Sequence, residues 1–201
     1  MASHTFSYQL EQWLSDKKHP KTIGNLIAVF DEKSFAIIFL LLMIAPALPI
    51  PTGGVTHLFE VITMLVALEL VIGKQQIWLP KRWLKRRLGH LSQAKALPFL
   101  MRRIRWLERF SHPRLRRLTT DRKFLMIVGA VVFIFALAAF LAPPFSGLDT
   151  LPSLGIVLIG LSLLLGDIVV FVVGLAIGLG GIGLNYWLGD LIYKHVRSWF
   201  K

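Results

Sequence analysis

From Phe124 to Leu141 the chain runs for eighteen residues without one charged side chain. As a helix this run is about 27 Å long at 1.5 Å per residue. The hydrocarbon core of a bilayer is about 30 Å thick. Charged residues are only 17% of the sequence, against about 25% in soluble domains. The mean hydropathy is +0.63. Lipid is therefore the solvent this sequence implies, and the remaining apolar stretches are read as further membrane elements.

Leu151 to Leu184 is also apolar, with Asp167 its only charge. It is long enough for two elements meeting near Gly166-Asp167. Ala142-Pro143-Pro144-Phe145-Ser146-Gly147 separates it from the preceding run. Nearer the N-terminus, Phe35 to Leu48 spans fourteen residues, or roughly 21 Å of helix, short for a straight crossing. It stops at Pro49-Ile50-Pro51-Thr52-Gly53-Gly54. Proline removes a backbone donor and glycine frees the backbone, so that cluster ends a helix. The apolar pattern resumes from Val55 to Gly73.

Charge is concentrated between these two halves. Lys74 to Lys123 holds sixteen Lys or Arg against Glu108 and Asp121, and the rest of the chain is close to neutral although the whole carries +12. Clustered basic residues serve nucleic acid or the anionic cytoplasmic leaflet. Membrane segments flank this cluster on both sides, so the reading is a positive-inside cytoplasmic linker with no nucleic-acid partner. Within it Arg102, Arg103 and Arg105 alternate with Leu100, Ile104 and Leu107. That pattern makes a basic amphipathic helix for an anionic lipid surface.

Two amphipathic regions frame the chain. Phe6, Leu10, Trp13 and Leu14, then Ile23, Leu26, Ile27 and Phe30, mark short helical faces before residue 34. They lie at a membrane surface or pack as ordinary soluble helices; both readings are open. No cleavable signal peptide is expected there. The tail mixes Tyr186, Trp187 and Trp199 with Asp190, Lys194 and Arg197, an interfacial pattern. The organisation is then residues 1–34 amphipathic, 35–73 a first membrane repeat, 74–123 the linker, 124–184 a second repeat and 185–201 a terminal amphipathic helix.

The word repeat rests on an offset of 93 residues. It carries Pro51 onto Pro144, Gly54 onto Gly147 and Gly73 onto Gly166. Each half reads apolar segment, Pro/Gly break, apolar segment. Breaks in corresponding places of two halves point to a binding or transport site. Two placements of the breaks are open. They are re-entrant loops, with backbone polar groups buried in protein or facing a water-filled cavity, or simple turns at the far membrane surface.

Several motifs in fixed order carry a family resemblance. They are Pro49-Ile50-Pro51 with Gly53-Gly54, Trp78-Leu79-Pro80 after Gly73, Leu107-Glu108 with Pro113-Arg114, and Pro143-Pro144-Phe145 leading to Leu151-Pro152. With these the chain resembles the ExoD family of bacterial membrane proteins, from about Ser34 to Leu184. The resemblance implies an inner-membrane protein linked to exopolysaccharide production. The family often has Gln where Glu69 stands, and Arg-Asp-Gly where this chain has Gly166-Asp167-Ile168.

Ionisable residues inside apolar segments are candidates for function, because an unpaired buried charge is costly. Here they are His57, Glu60, Glu69 and Asp167. His57 and Glu60 are three residues apart and share a helix face. Glu69 is nine residues beyond Glu60 and faces elsewhere, with Asp167 a partner across the repeat axis. The candidate substrate site comprises Pro49, Pro51, Gly53, Gly54, Glu60, Glu69, Pro144, Gly147 and Asp167. Against that stand structural roles: an interface position for His57 and Glu60, pairing with Lys74 for Glu69, and helix capping for Asp167.

Absence of cysteine excludes disulfides and thiolate chemistry. No Walker A, H-E-x-x-H or G-x-S-x-G motif occurs, so no catalytic residue, metal or cofactor is expected. Gly174-x-x-x-Gly178 permits close helix approach, within the subunit or in a homo-oligomer. The expected fold is all-α, a polytopic membrane protein of two Pro/Gly-broken helical hairpins with interfacial amphipathic helices. Two functions are open: handling of a small solute, ion or lipid-linked intermediate, or a non-transporting adaptor for the polysaccharide machinery.

Overall fold

A computed structural model describes residues 33–48, 55–74, 77, 121–143 and 146–199, with Gln12, Thr22 and Gly24; side chains are described as far as residue 188. The described fold is all-helical, with five helices and no strand among the described residues. They are α1 (Ser34–Met43), α2 (Val55–Val71), α3 (Arg122–Phe140), α4 (Thr150–Leu165) and α5 (Ile168–Trp199). The amphipathic segment 1–34, the first Pro/Gly cluster and the arginines of the linker lie largely or wholly outside the described residues.

Neighbours in sequence are not always the closest partners. α1 packs chiefly on α4, and α2 chiefly on α3, while α4 and α5 form the most intimate pair. Two sets of contacts fix the polarity. Lys33 Nζ donates to the carbonyl oxygen of Leu164 at 3.2 Å, and Gly73 lies against the Arg122 side chain. These place the start of α1 and α3 and the end of α2 and α4 together, at what is here termed the basic end. At the other end Gly181 of α5 touches Leu151 and Pro152 of α4, and the His57 ring meets Phe140 edge-on at 5.5 Å. This is the loop end, where the two Pro/Gly segments begin or finish.

Glycine sets the α4–α5 distance. A Cβ on Gly155 would sit 2.7 Å from Gly178 Cα, and one on Gly174 would sit 2.8 Å from Leu158 Cβ. A Cβ on Gly178 would overlap the Phe135 ring of α3. The G-x-x-x-G of α5 is thus used inside the subunit.

Two further glycines stop helices. Gly73 and Gly166 have φ of 82° and 69°, the left-handed region that side chains resist. The residue after each donates back five positions, Lys74 N to Glu69 O at 3.0 Å and Asp167 N to Ser162 O at 3.1 Å. Both helix ends therefore share that closing bond, while the glycine N–H itself bonds to Leu70 O at Gly73 and to Ser162 O at Gly166.

Burial separates inner from outer helices. Eight of the ten residues of α1 are buried, as are ten of the sixteen in α4. The outer helices each present an apolar stripe: Leu58, Leu65 and Leu68 on α2, Ile127, Ile134 and Leu137 on α3, and Val169, Val172 and Val173 on α5. Two helical segments, Arg122–Phe140 and Ile168–Leu188, are long and apolar enough to cross a membrane. α5 continues unbroken to Trp199, so the division expected between 184 and 185 falls inside a helix.

Candidate functional site

The face of α2 toward the bundle carries three polar residues at helical spacing. Thr56, Glu60 and Thr63 are 4%, 0% and 0% exposed. The Thr63 hydroxyl is satisfied locally, donating to the carbonyl oxygen of Phe59 at 2.8 Å. Glu60 is not a cap or a surface group. Its Oε2 accepts from His57 Nδ1 at 2.6 Å, as the i, i+3 spacing predicts. Its Oε1 is buried without a hydrogen-bond partner.

Among the described residues only two other buried side-chain atoms lack a partner, Ser153 Oγ and Asn185 Oδ1. Both belong to the loop end. Ser153 is in the first turn of α4 and is 0% exposed, its backbone N–H bonded to the carbonyl oxygen of Asp149 at 3.1 Å. Asn185 lies one turn beyond Gly181 on α5, and its Nδ2 donates to the carbonyl oxygen of Ala138 on α3 at 3.4 Å. Asp149, just ahead of α4, is near enough to Glu60 for the two carboxylates to interact through space. Unsatisfied buried polar atoms cost about 1–3 kcal/mol each, and native folds keep few of them. Three toward one end, from three different helices, set the loop end apart from the rest of the bundle.

The other expected site residues fall into three groups. Pro49, Pro51, Gly53, Gly54 and Pro144 lie outside the described residues, as do Arg102, Arg103 and Arg105. Gly147 is exposed, has a φ of 70° and has no atom within 4 Å of where a Cβ would be. It belongs to a turn in which the Ser146 hydroxyl donates to the carbonyl oxygen of Pro143 at 2.6 Å and accepts from Leu148 N at 3.2 Å. Glu69 and Asp167 sit at the basic end, away from Glu60. Glu69 Oε1 pairs with Lys74 Nζ at 3.1 Å. Asp167 Oδ1 accepts from Val169 N at 2.8 Å and caps the start of α5.

Thr56, Asp149, Ser153 and Asn185 are not singled out by sequence reasoning. One signal for three of them was present. The 93-residue offset carries Thr56 onto Asp149 and Glu60 onto Ser153, so polar residues stand at matching helix positions in both halves. Asn185 had no comparable signal. It is one polar residue at the end of a glycine-rich run. Among the described residues no group of three or more His, Asp or Glu is arranged for a metal ion.

These features define a helical bundle with an apolar exterior and a buried polar layer at one end. The profile of the ExoD family, described as exopolysaccharide synthesis, matches residues 6–187, and the chain belongs to that family. An uncharacterised protein of Synechocystis sp. is 29% identical over 189 residues, covering 92% of this chain and 84% of the relative. The protein ExoD of Rhizobium meliloti is 27% identical over 155 residues, 73% of this chain and 61% of the relative. No solved structure matches. Family membership implies a role in exopolysaccharide synthesis.

Proposed function

We propose that this protein is a multi-pass bacterial inner-membrane protein that passes or handles a small solute, ion or lipid-linked intermediate in support of exopolysaccharide production. The observation that carries this is Glu60, fully buried with one carboxylate oxygen unpartnered. A buried, half-satisfied carboxylate weakens a scaffold and is retained where a ligand completes it. The apolar stripes on α2, α3 and α5 suit contact with lipid chains, and the basic linker suits the anionic cytoplasmic leaflet.

The internal repeat supports a shared site. Under the 93-residue offset α1 corresponds to the middle of α3, and α2 to α4. The main contacts, α1 on α4 and α2 on α3, are then one interface occurring twice. Gly73 and Gly166 end the matching helices, and the residue after each donates to the carbonyl five positions back. Both halves run in the same direction, so the relating axis lies along the bundle, as in parallel-repeat transporters.

The adaptor reading draws on one observation, the exposure of Pro143, Ser146 and Gly147 in the second loop. A docking partner reaches such a turn, but it does not reach a residue that is 0% exposed like Glu60. Glu60→Gln in a complemented deletion strain separates the two. The site reading expects exopolysaccharide output to fall at least tenfold with membrane-inserted protein at normal abundance. Normal output, or output that falls only with protein abundance, overturns it in favour of the adaptor.

A further inference from the structure

We propose that the ion handled at the loop end is a proton, taken up by the His57–Glu60 pair with His57 as its entry group and Glu60 as its store. This deepens the proposed function and rests on its reading of Glu60 as the working residue.

The two side chains are in direct contact but in different surroundings. Glu60 Oε2 lies 2.6 Å from His57 Nδ1, within reach for transfer of the proton between them. The Glu60 side chain is 0% exposed and that of His57 is 25% exposed. The imidazole therefore runs from a buried carboxylate to the surface of the bundle. Its two nitrogens are distinct, so it can gain a proton at one while giving up the proton on the other.

Atoms and charge balance in a single step. With Glu60 ionised, the bridging proton is on Nδ1. An incoming proton forms an N–H bond at Nε2, and the Nδ1–H bond breaks as an O–H bond forms at Oε2. Ring and carboxyl both end neutral, so the pair goes from one negative charge to none. Release is the same step reversed.

The charges around the pair favour a mobile proton there over a fixed counter-ion. A negative charge in an apolar interior is costly, and a second acid, Asp149, interacts with Glu60 through space. The helices packed on α2 are α3 and, to a lesser extent, α1. Their described cations, Arg122 and Lys123 at the start of α3 and Lys33 ahead of α1, stand at the basic end. Neither α4 nor Ile168–Leu188 of α5 contains a charged residue. Glu69, on α2 itself, is held by Lys74 at the basic end.

The repeat makes the site single. The 93-residue offset carries His57 onto Thr150 and Glu60 onto Ser153, hydroxyls that do not change charge as these two groups can. His57 meets Phe140 of α3 edge-on. Loading thus changes charge at the α2–α3 contact and not at its counterpart, α1–α4. Glu60 Oε1 has no partner in the fold. It is the side from which a solute would meet the change from acceptor-only carboxylate to neutral acid.

The test uses infrared difference spectroscopy of the full-length protein in lipid nanodiscs, titrated over the pH range in which it stays folded. Acidification is expected to bring up the carbonyl stretch of a protonated carboxylic acid, lost in Glu60→Gln and kept in Glu69→Gln. His57→Asn keeps an N–H donor near the place of Nδ1 but binds no proton. Its polysaccharide output in a complemented deletion strain should fall about tenfold or more at normal protein abundance. A spectrum without a Glu60-dependent change, or with Glu60 protonated at every pH, overturns the proton site. Normal output from His57→Asn, or output that falls only with abundance, overturns the entry role of His57. Loss of output in Glu60→Gln with no titration of Glu60 leaves the functional reading standing and removes this one. Titration of Glu60 with normal output in Glu60→Gln does the reverse.

Discussion

The two ends of the bundle treat their polar groups in opposite ways. At the basic end described charges are put to structural use: Lys74 holds Glu69, Lys33 caps a carbonyl of α4, Asp167 caps α5 and Asp121 caps α3. At the loop end three buried oxygens have no partner. The same chain could have satisfied both ends, since Ser, Asn and Glu readily find backbone partners. The contrast teaches that buried polarity here is not a uniform tax on an apolar fold. Among the described residues the unpartnered buried oxygens are confined to the end where the Pro/Gly segments begin or finish.

The strongest way to break this comparison is to remove the scaffold that holds both ends at once. Gly155→Val forces α4 off the backbone of α5, where a Cβ already has 2.7 Å to Gly178 Cα. Overpacking of this kind costs about 1–3 kcal/mol, and more against rigid backbone. We expect folded protein and polysaccharide output to be lost together, measured by detergent-solubilised monodisperse yield and by secreted polymer. Retention of either would show that the glycine contact is not what sets the geometry.

The next effect is functional without being structural. Asn185→Leu removes the unpartnered oxygen and the bond to Ala138 while roughly keeping volume. Output should fall several-fold with unfolding temperature unchanged or raised, because replacing a half-satisfied polar group by an apolar one is close to neutral for stability. A large drop in stability would make Asn185 a structural residue instead.

Gly166→Ala sharpens the basic end. The residue is buried with φ of 69°, and a side chain in that region costs roughly 1–2 kcal/mol. The unfolding temperature should drop by about 2–8 °C, with output retained in proportion to folded protein. Smallest of all is Lys74→Gln. The lysine side chain is 47% exposed, and pairs of this kind contribute at most about 1 kcal/mol. No change in output and a shift under 2 °C are expected. A loss of output here with stable protein would move the working site to the basic end.

Much of the scaffold could be read from residue order. Gly73 and Gly166 announce two helix ends because only glycine takes the left-handed backbone cheaply. The break at Gly166-Asp167 follows, and α1 is short because the Pro/Gly cluster is near. Packing order could not be read this way. Nothing in the local pattern says that α1 prefers α4 to α2, since both offer apolar faces. The His57–Glu60 pair was legible from spacing. The orphaned oxygens of Ser153 and Asn185 were not, because an unmet hydrogen bond is a property of surroundings. Gly147 shows the reverse: its sequence context suggested a shaped pocket, and its surroundings are open.

The burial of α1 has a consequence for how the protein is made. Ser34 and nine apolar residues finish at Met43, yet the helix they lie against, α4, ends at Leu165. At bacterial elongation rates of roughly 5–20 residues per second, the ribosome adds that intervening chain in about 6–24 s. Throughout that interval α1 is too short to be secured across a bilayer by partitioning alone. It has no finished groove to enter. On the proposed multi-pass reading its insertion is therefore a late event, set by completion of a distant partner and not by its own emergence. Chains truncated before residue 150 would leave α1 without a home and exposed to membrane proteolysis, however intact their own sequence.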